Sequence, residues 1–169
     1  IGIITVLKEM GANISIINKR LDSNEELGDL IIKSSQLRSL NIGGEIISTL
    51  IDELPILFIA CAVSSGVSKI SGIEELRYKE SDRIKSMEEG LIAIGIKVTS
   101  TIDSIEIIGG EILGGKINSY GDHRIAMAFA IAALVSKKSI TIIDTKNIST
   151  SFPNFIDLMR DQGADIYEL

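Results

Sequence analysis

The sequence is poor in the residues that most often announce a function. It has one cysteine, Cys61, one histidine, His123, two prolines and no tryptophan. A single cysteine rules out an intramolecular disulfide, and one Cys with one His cannot make a Cys/His metal cluster. Cys61 lies in the apolar run 56–63 and is expected to be a buried small hydrophobe, with a nucleophilic thiol as the alternative. Positive charge is also scarce: 17 Lys and Arg stand against 23 Asp and Glu, net −6. There is no long basic tract, so nucleic-acid binding has no electrostatic support. Any anion site must be built from a few placed cations. Apolar runs reach only about ten residues, too short to span a membrane, and no signal peptide is seen. A cytoplasmic setting is the simplest expectation. With aromatics at 4%, the core must come from Ile, Leu, Val and Ala.

What is present is repetition. Ile3, Leu7 and Met10 form a helical stripe that begins without a cap after Ile1, as in an excerpt of a longer chain. Gly11 follows, then a strand-like 13–17. The same order recurs as helix 87–94, Gly95 and a strand, and as helix 155–160, Gly163 and a strand. A second repeat pairs Asp52, ahead of an apolar helix over 55–63, with Asp122, ahead of one over 125–135; each Asp lies 18 residues before an isoleucine, Ile70 or Ile140. Strand-like segments holding Leu37 and Ile42, and Ile112 and Ile117, precede them. Two related units of about 70 residues, flanked by partial ones, are therefore expected. The helix from Ile125 is rich in alanine, and such a helix is enclosed by protein. This predicts an α/β domain over 1–169 with helices inside and sheets outside. Residues 18–28 read as a polar loop.

Chemistry concentrates in two places. Residues 74–84 hold Arg77, Lys79 and Arg83 among Glu74, Glu75, Glu80 and Asp82. Ser81 or Asp82 can cap a helix carrying Ile84, Met87, Leu91 and Ile94. Cations at a helix N-terminus suit a phosphate or carboxylate, and the alternative is a solvated turn whose charges pair with one another. In Gly121-Asp122-His123-Arg124, Asp122 can cap the alanine-rich helix and Arg124 falls in its first turn. Asp52 and Arg124, at matching ends of the two related helices, can converge on one pocket.

Lys79-Glu80-Ser81-Asp82-Arg83, Gly121-Asp122-His123-Arg124-Ile125-Ala126-Met127 and Ser151-Phe152-Pro153 together resemble the EPSP synthase (3-phosphoshikimate 1-carboxyvinyltransferase) family, in its C-terminal part. The likeness covers essentially all 169 residues, and Asp52-Glu53-Leu54-Pro55 matches the bacterial branch with Asp-Glu-x-Pro. The resemblance implies two similar domains of βαβαββ units with inner helices, of which this chain is most of one. It implies transfer of the carboxyvinyl group of phosphoenolpyruvate to the 5-hydroxyl of shikimate 3-phosphate, without cofactor or metal. By motif, Asp52 matches an acid/base aspartate and Glu80 a carboxylate implicated in proton transfer. Lys79 matches a shikimate 3-phosphate contact, Arg83 and Arg124 the clamp on phosphoenolpyruvate, and His123 a lining residue. Glu75 and Thr150 depart from the Asn and Lys of some members. Other ligands of both substrates belong to a complementary domain that this chain lacks, so the chain alone is expected to be an inactive anion-binding domain. A related transferase acting on UDP-N-acetylglucosamine fits the motifs less well.

Overall fold

The computed structural model describes residues 2–23 and 25–168. Its repeat begins with α1 (Gly2–Glu9), which buries Val6 and, just past its end, Met10 of the expected stripe, with Ile3 and Leu7 partly buried; the antiparallel strands β1 (Asn13–Asp22) and β2 (Glu25–Lys33) follow. The next unit runs β3 (Asn41–Ile42), a 3-10 helix (Gly44–Thr49), α2 (Leu54–Ala62), β4 (Val67–Ser71), a 3-10 helix (Glu74–Tyr78), α3 (Arg83–Ala93), β5 (Lys97–Ser100) and β6 (Ser104–Ile108). Its sheet has the order β3-β4-β6-β5, with β3 parallel to β4 and the other pairs antiparallel. This is a complete βαβαββ unit. A second one opens with β7 (Gly115–Asn118), α4 (His123–Ala133) and β8 (Ile140–Ile143), where β7 and β8 are parallel, and goes on to the short α5 (Ile148–Ser151) and α6 (Phe155–Asp161).

Helices are inside and sheets outside. In α2, Leu54, Pro55, Leu57, Phe58, Ile59, Cys61 and Ala62 are all buried, a helix with no solvent face to keep polar. In α4 the alanines 126, 128, 130 and 132 are buried with Ile125 and Phe129. Along β4 the pattern alternates: Ser68 and Ile70 face in while Val67 and Lys69 face out, as expected of a sheet with one solvated side. Among the described residues, no helix is long and apolar enough to cross a membrane.

Three glycines share one job. Gly11, Gly95 and Gly163 have φ of 94°, 94° and 90°, and each ends a helix. In each case the glycine N–H and the next N–H fold back onto the last turn: Gly95 to Ile92 O at 3.0 Å, and Ile96 to Leu91 O at 2.9 Å. The same pair of bonds closes α1 and α6. A left-handed residue that reverses the chain this sharply is favoured as glycine because it has no Cβ to clash.

Four details differ from the sequence reading. Residues 18–28 include Asn24, outside the described residues; the others are mostly strand, because the hairpin extends through Asp22 and resumes at Glu25, with a register shift between Ile17 and Arg20. Among the described residues after Gly163, none is in a strand. The segment with Leu37 and Ile42 is strand only at Asn41–Ile42, preceded by an isolated bridge from Arg38 to Ser65. The segment with Ile112 and Ile117 is strand only at Gly115–Asn118.

Where α3 crosses α4 the helices touch at Gly90, where an added Cβ would lie 2.3 Å from Phe129 Cζ. Replacing Gly90 by alanine gains about 1 kcal/mol of helix propensity. It overpacks this contact, at a cost of about 1–3 kcal/mol. Urea denaturation of Gly90→Ala, Phe129→Leu and the double variant should therefore show a favourable coupling, the double variant being more stable than the two single losses predict.

Candidate active site

Four of the six motif residues come from three parts of the chain and meet in one charged cluster at its centre, Arg83. This first residue of α3 leaves only 1% of its side chain exposed, yet carries a permanent charge. Burial of such a group requires partners around its edge, and it has three. Nε donates to Asp122 Oδ2 at 2.8 Å, Nη1 to Asp52 Oδ1 at 3.2 Å, and Nη2 to Glu80 Oε2 at 2.6 Å. Arg124 joins the cluster from the first turn of α4. Its Nη1 donates to the backbone carbonyl of Asp52 at 2.9 Å and its Nη2 lies 3.4 Å from Asp52 Oδ2. Asp52 thus stands between two guanidinium groups.

The related helices α2 and α4 begin differently, and the difference makes the cluster. Asp122, fully buried, caps α4: its Oδ1 accepts from the N–H of Arg124 at 2.9 Å and of Ile125 at 3.4 Å. Asp52 caps nothing, so its carboxylate is available to both arginines. The sequence marks Asp122 as a cap, but its second oxygen does more, accepting from Arg83 Nε and from Ser81 Oγ at 3.2 Å. A carboxylate opening so apolar a helix needs a cation close by, and that was the available signal.

The approach to α4 is a tight turn. Tyr120 and Gly121 have φ of 53° and 71°, and Asn147 Nδ2 holds the carbonyl of Gly121 at 2.5 Å. The buried Ser119 hydroxyl points to the carbonyls of Ile143 and Asp144, 3.1 and 2.6 Å away. Residues 74–82 are fixed from the other side. Arg77 donates through Nε to Ile102 O at 2.8 Å, through Nη2 to Thr101 O, and through Nη1 to Asp82 Oδ2 at 2.7 Å. Asp82 Oδ1 accepts from the Lys85 N–H at 3.0 Å and caps α3. Arg77 and Asp82 are therefore structural supports.

Lys79 pairs instead with Glu75 on the preceding 3-10 helix, Nζ to Oε1 at 2.5 Å, which gives Glu75 a local partner. His123 is the first residue of α4 and is half-buried. Thr150, in α5, donates its hydroxyl to Asn147 O at 2.8 Å. Cys61 is fully buried inside α2. Burial pushes its thiol up to about 11, outweighing a hydrogen bond with Ser68 that acts the other way.

Electrostatically the cluster is closed on itself. Two guanidinium groups face three carboxylates, so it has no surplus of positive charge. Arg124 is the accessible cation, with 35% of its side chain exposed; Arg83 lies beneath Asp52 and Glu80, whose side chains are 45% and 52% exposed.

Comparison with known proteins points in one direction. The family described as EPSP synthase (3-phosphoshikimate 1-carboxyvinyltransferase) matches residues 1–159. The 3-phosphoshikimate 1-carboxyvinyltransferase of Methylococcus capsulatus (strain ATCC 33009 / NCIMB 11132 / Bath) is 47% identical over 165 residues, 98% of this chain and 38% of that protein. Its counterpart in Alkaliphilus metalliredigens (strain QYMF) is 48% identical over 160 residues, 94% of this chain and 38% of that protein. An EPSP synthase structure from Acinetobacter baumannii superposes with a TM-score of 0.90 at 41% identity, covering 95% of this chain and 38% of that one. The enolpyruvyl transferase NikO from Streptomyces tendae shares the fold, with a TM-score of 0.72 at 18% identity over 98% of this chain and 36% of that one. The chain thus spans about 38% of the length of these curated relatives.

Two outcomes follow from the geometry. Removing Arg83 as Arg83→Ala strands Asp122 without its cation and should cost about 3–5 kcal/mol in urea denaturation, whereas Arg124→Ala, half-exposed, should cost less than about 1 kcal/mol. Cys61 should stay protonated at pH 8, and its alkylation by iodoacetamide should run at the rate at which the chain unfolds; labelling at the rate of a free thiol would contradict its burial.

Proposed function

Because this chain belongs to the EPSP synthase family, we propose that it carries part of the active site of a 3-phosphoshikimate 1-carboxyvinyltransferase. On this reading residues 1–169 are most of one of two domains, and the rest of the site lies on a complementary domain. The observation that carries the proposal is that Asp52, Glu80 and Arg124, from three separate family motifs, gather around the buried guanidinium of Arg83, with Arg124 joined through Asp52.

The reaction moves the carboxyvinyl group of phosphoenolpyruvate to the 5-hydroxyl of shikimate 3-phosphate. Addition places a proton on the methylene carbon and the hydroxyl oxygen on the adjacent carbon, giving a tetrahedral intermediate. Elimination takes a proton back from the new methyl and expels phosphate. Each half needs proton movement beside a multiply charged substrate, which places acid/base groups among cations. Arg124 and Arg83 take the phosphoenolpyruvate phosphate and carboxylate, Lys79 the 3-phosphate of shikimate 3-phosphate, and His123 lines the site. Asp52 and Glu80 move protons.

The arrangement of charges adds a requirement. Asp52 and Glu80 occupy N–H groups of Arg83, so substrate oxygens must replace theirs there, which frees both carboxylates next to the reacting atoms. Since the cluster has no spare positive charge, a dianionic substrate also needs cations from outside it. Lys79 is one, and the complementary domain supplies others.

Mixing the chain with the complementary portion of a relative and assaying phosphate release tests the reading; folded, associated and inactive halves would sink it. In the active assembly, Arg124→Ala should raise KM for phosphoenolpyruvate about 10- to 100-fold, the loss of a charged hydrogen-bond pair, while shikimate 3-phosphate binding changes little. Asp52→Ala should bind both substrates normally and lose about 100-fold or more in kcat. Normal turnover would remove Asp52 from the chemistry.

A further inference from the structure

Capping a helix occupies one acceptor oxygen. Serine and asparagine do it as well as aspartate, so capping does not explain why residue 122 is a carboxylate. In this structure its two oxygens face different ways. Oδ1 holds the backbone N–H of Arg124 at 2.9 Å and of Ile125 at 3.4 Å. Oδ2 holds Arg83 Nε at 2.8 Å, with Ser81 Oγ at 3.2 Å. Asp122 is fully buried and Arg83 is 1% exposed, so this pair is dry and its geometry is not loosened by water. Fixing Nε also fixes the guanidinium plane, and both Nη groups then face Asp52 and Glu80.

We propose that Asp122 is the positioning residue for both arginines: one rigid carboxylate sets the backbone of one and the guanidinium plane of the other, and so fixes the spacing of the pair. An anion bridging two guanidinium groups is sensitive to that spacing at the level of about 0.5 Å. The kinetic part of this inference rests on the function proposed above. The geometric part does not.

The test uses three observations. In the chain itself, the Arg83 Nε–H should be strongly protected from solvent exchange by side-chain 1H–15N spectroscopy, unlike that of exposed Arg20; equal exchange would overturn the proposal. Asp122→Ser keeps the cap and removes the second oxygen, and Asp122→Asn keeps the size but presents an amide that cannot accept on both sides. Either variant, once shown folded by its melting curve, should lose Arg83 Nε–H protection. In the active assembly it should raise KM for phosphoenolpyruvate by about tenfold or more, with that for shikimate 3-phosphate moving less than about twofold. A purely structural cap predicts that Asp122→Ser is neutral in both measurements, and that result would overturn the proposal. If neither variant folds, the exchange measurement on the unaltered chain decides. If the wild-type assembly shows no turnover, the functional reading falls while protection of Arg83 still decides the role of Asp122.

Discussion

A charge that cannot reach water governs this structure. Arg83 is the largest fully buried side chain among the described residues, and burying a guanidinium is tolerable only if its edge is ringed by acceptors. The chain supplies them from three places: Asp52 before α2, Glu80 ahead of α3, and Asp122 at the head of α4. Meeting that one demand brings three loop-to-helix junctions to a common point. The apolar interior of α2 and α4 makes the demand severe, because nothing else nearby can solvate the charge.

The two related units show how a repeat acquires an asymmetric site. Asp52 and Asp122 hold matching positions ahead of matching inner helices. In one unit the aspartate is drawn into the helix start and becomes its cap. In the other, Glu53 takes the cap position and Asp52 is left outside, facing two arginines. A shift of one residue in where the helix begins separates a carboxylate bound to its own helix from one left to pair with two arginines. Arg83 and Arg124 divide similarly: one is locked by a buried partner, the other touches solvent.

Much of this was legible in the sequence, for reasons that can be named. Helices ending at Gly11, Gly95 and Gly163 follow from a local rule, the left-handed residue that closes a helix. The inner position of α4 follows from its alanines. The approach of Asp52 to Arg124 was legible from the repeat, because related helices at related ends bring their heads together. The hairpin through residues 18–22 was not legible: apart from Leu21 its residues there are polar, and all are exposed, so no apolar alternation marks a strand. The strand expected after Gly163 is absent among the described residues, and pairing of that kind is set by distant chain, not by the local pattern. The second oxygen of Asp122 was hidden because it depends on a partner 39 residues away.

The three glycine-ended helices have a mechanical consequence. At each of them the chain leaves a helix and reverses within two residues, held by the same two backbone bonds. Such a junction has no slack. In the complete unit, β5 cannot slide over α3 without breaking the bonds of Gly95 and Ile96, so the two layers behave as a single stiff block. Any motion of this unit would therefore carry Arg83, the first residue of α3, together with the sheet that β5 belongs to.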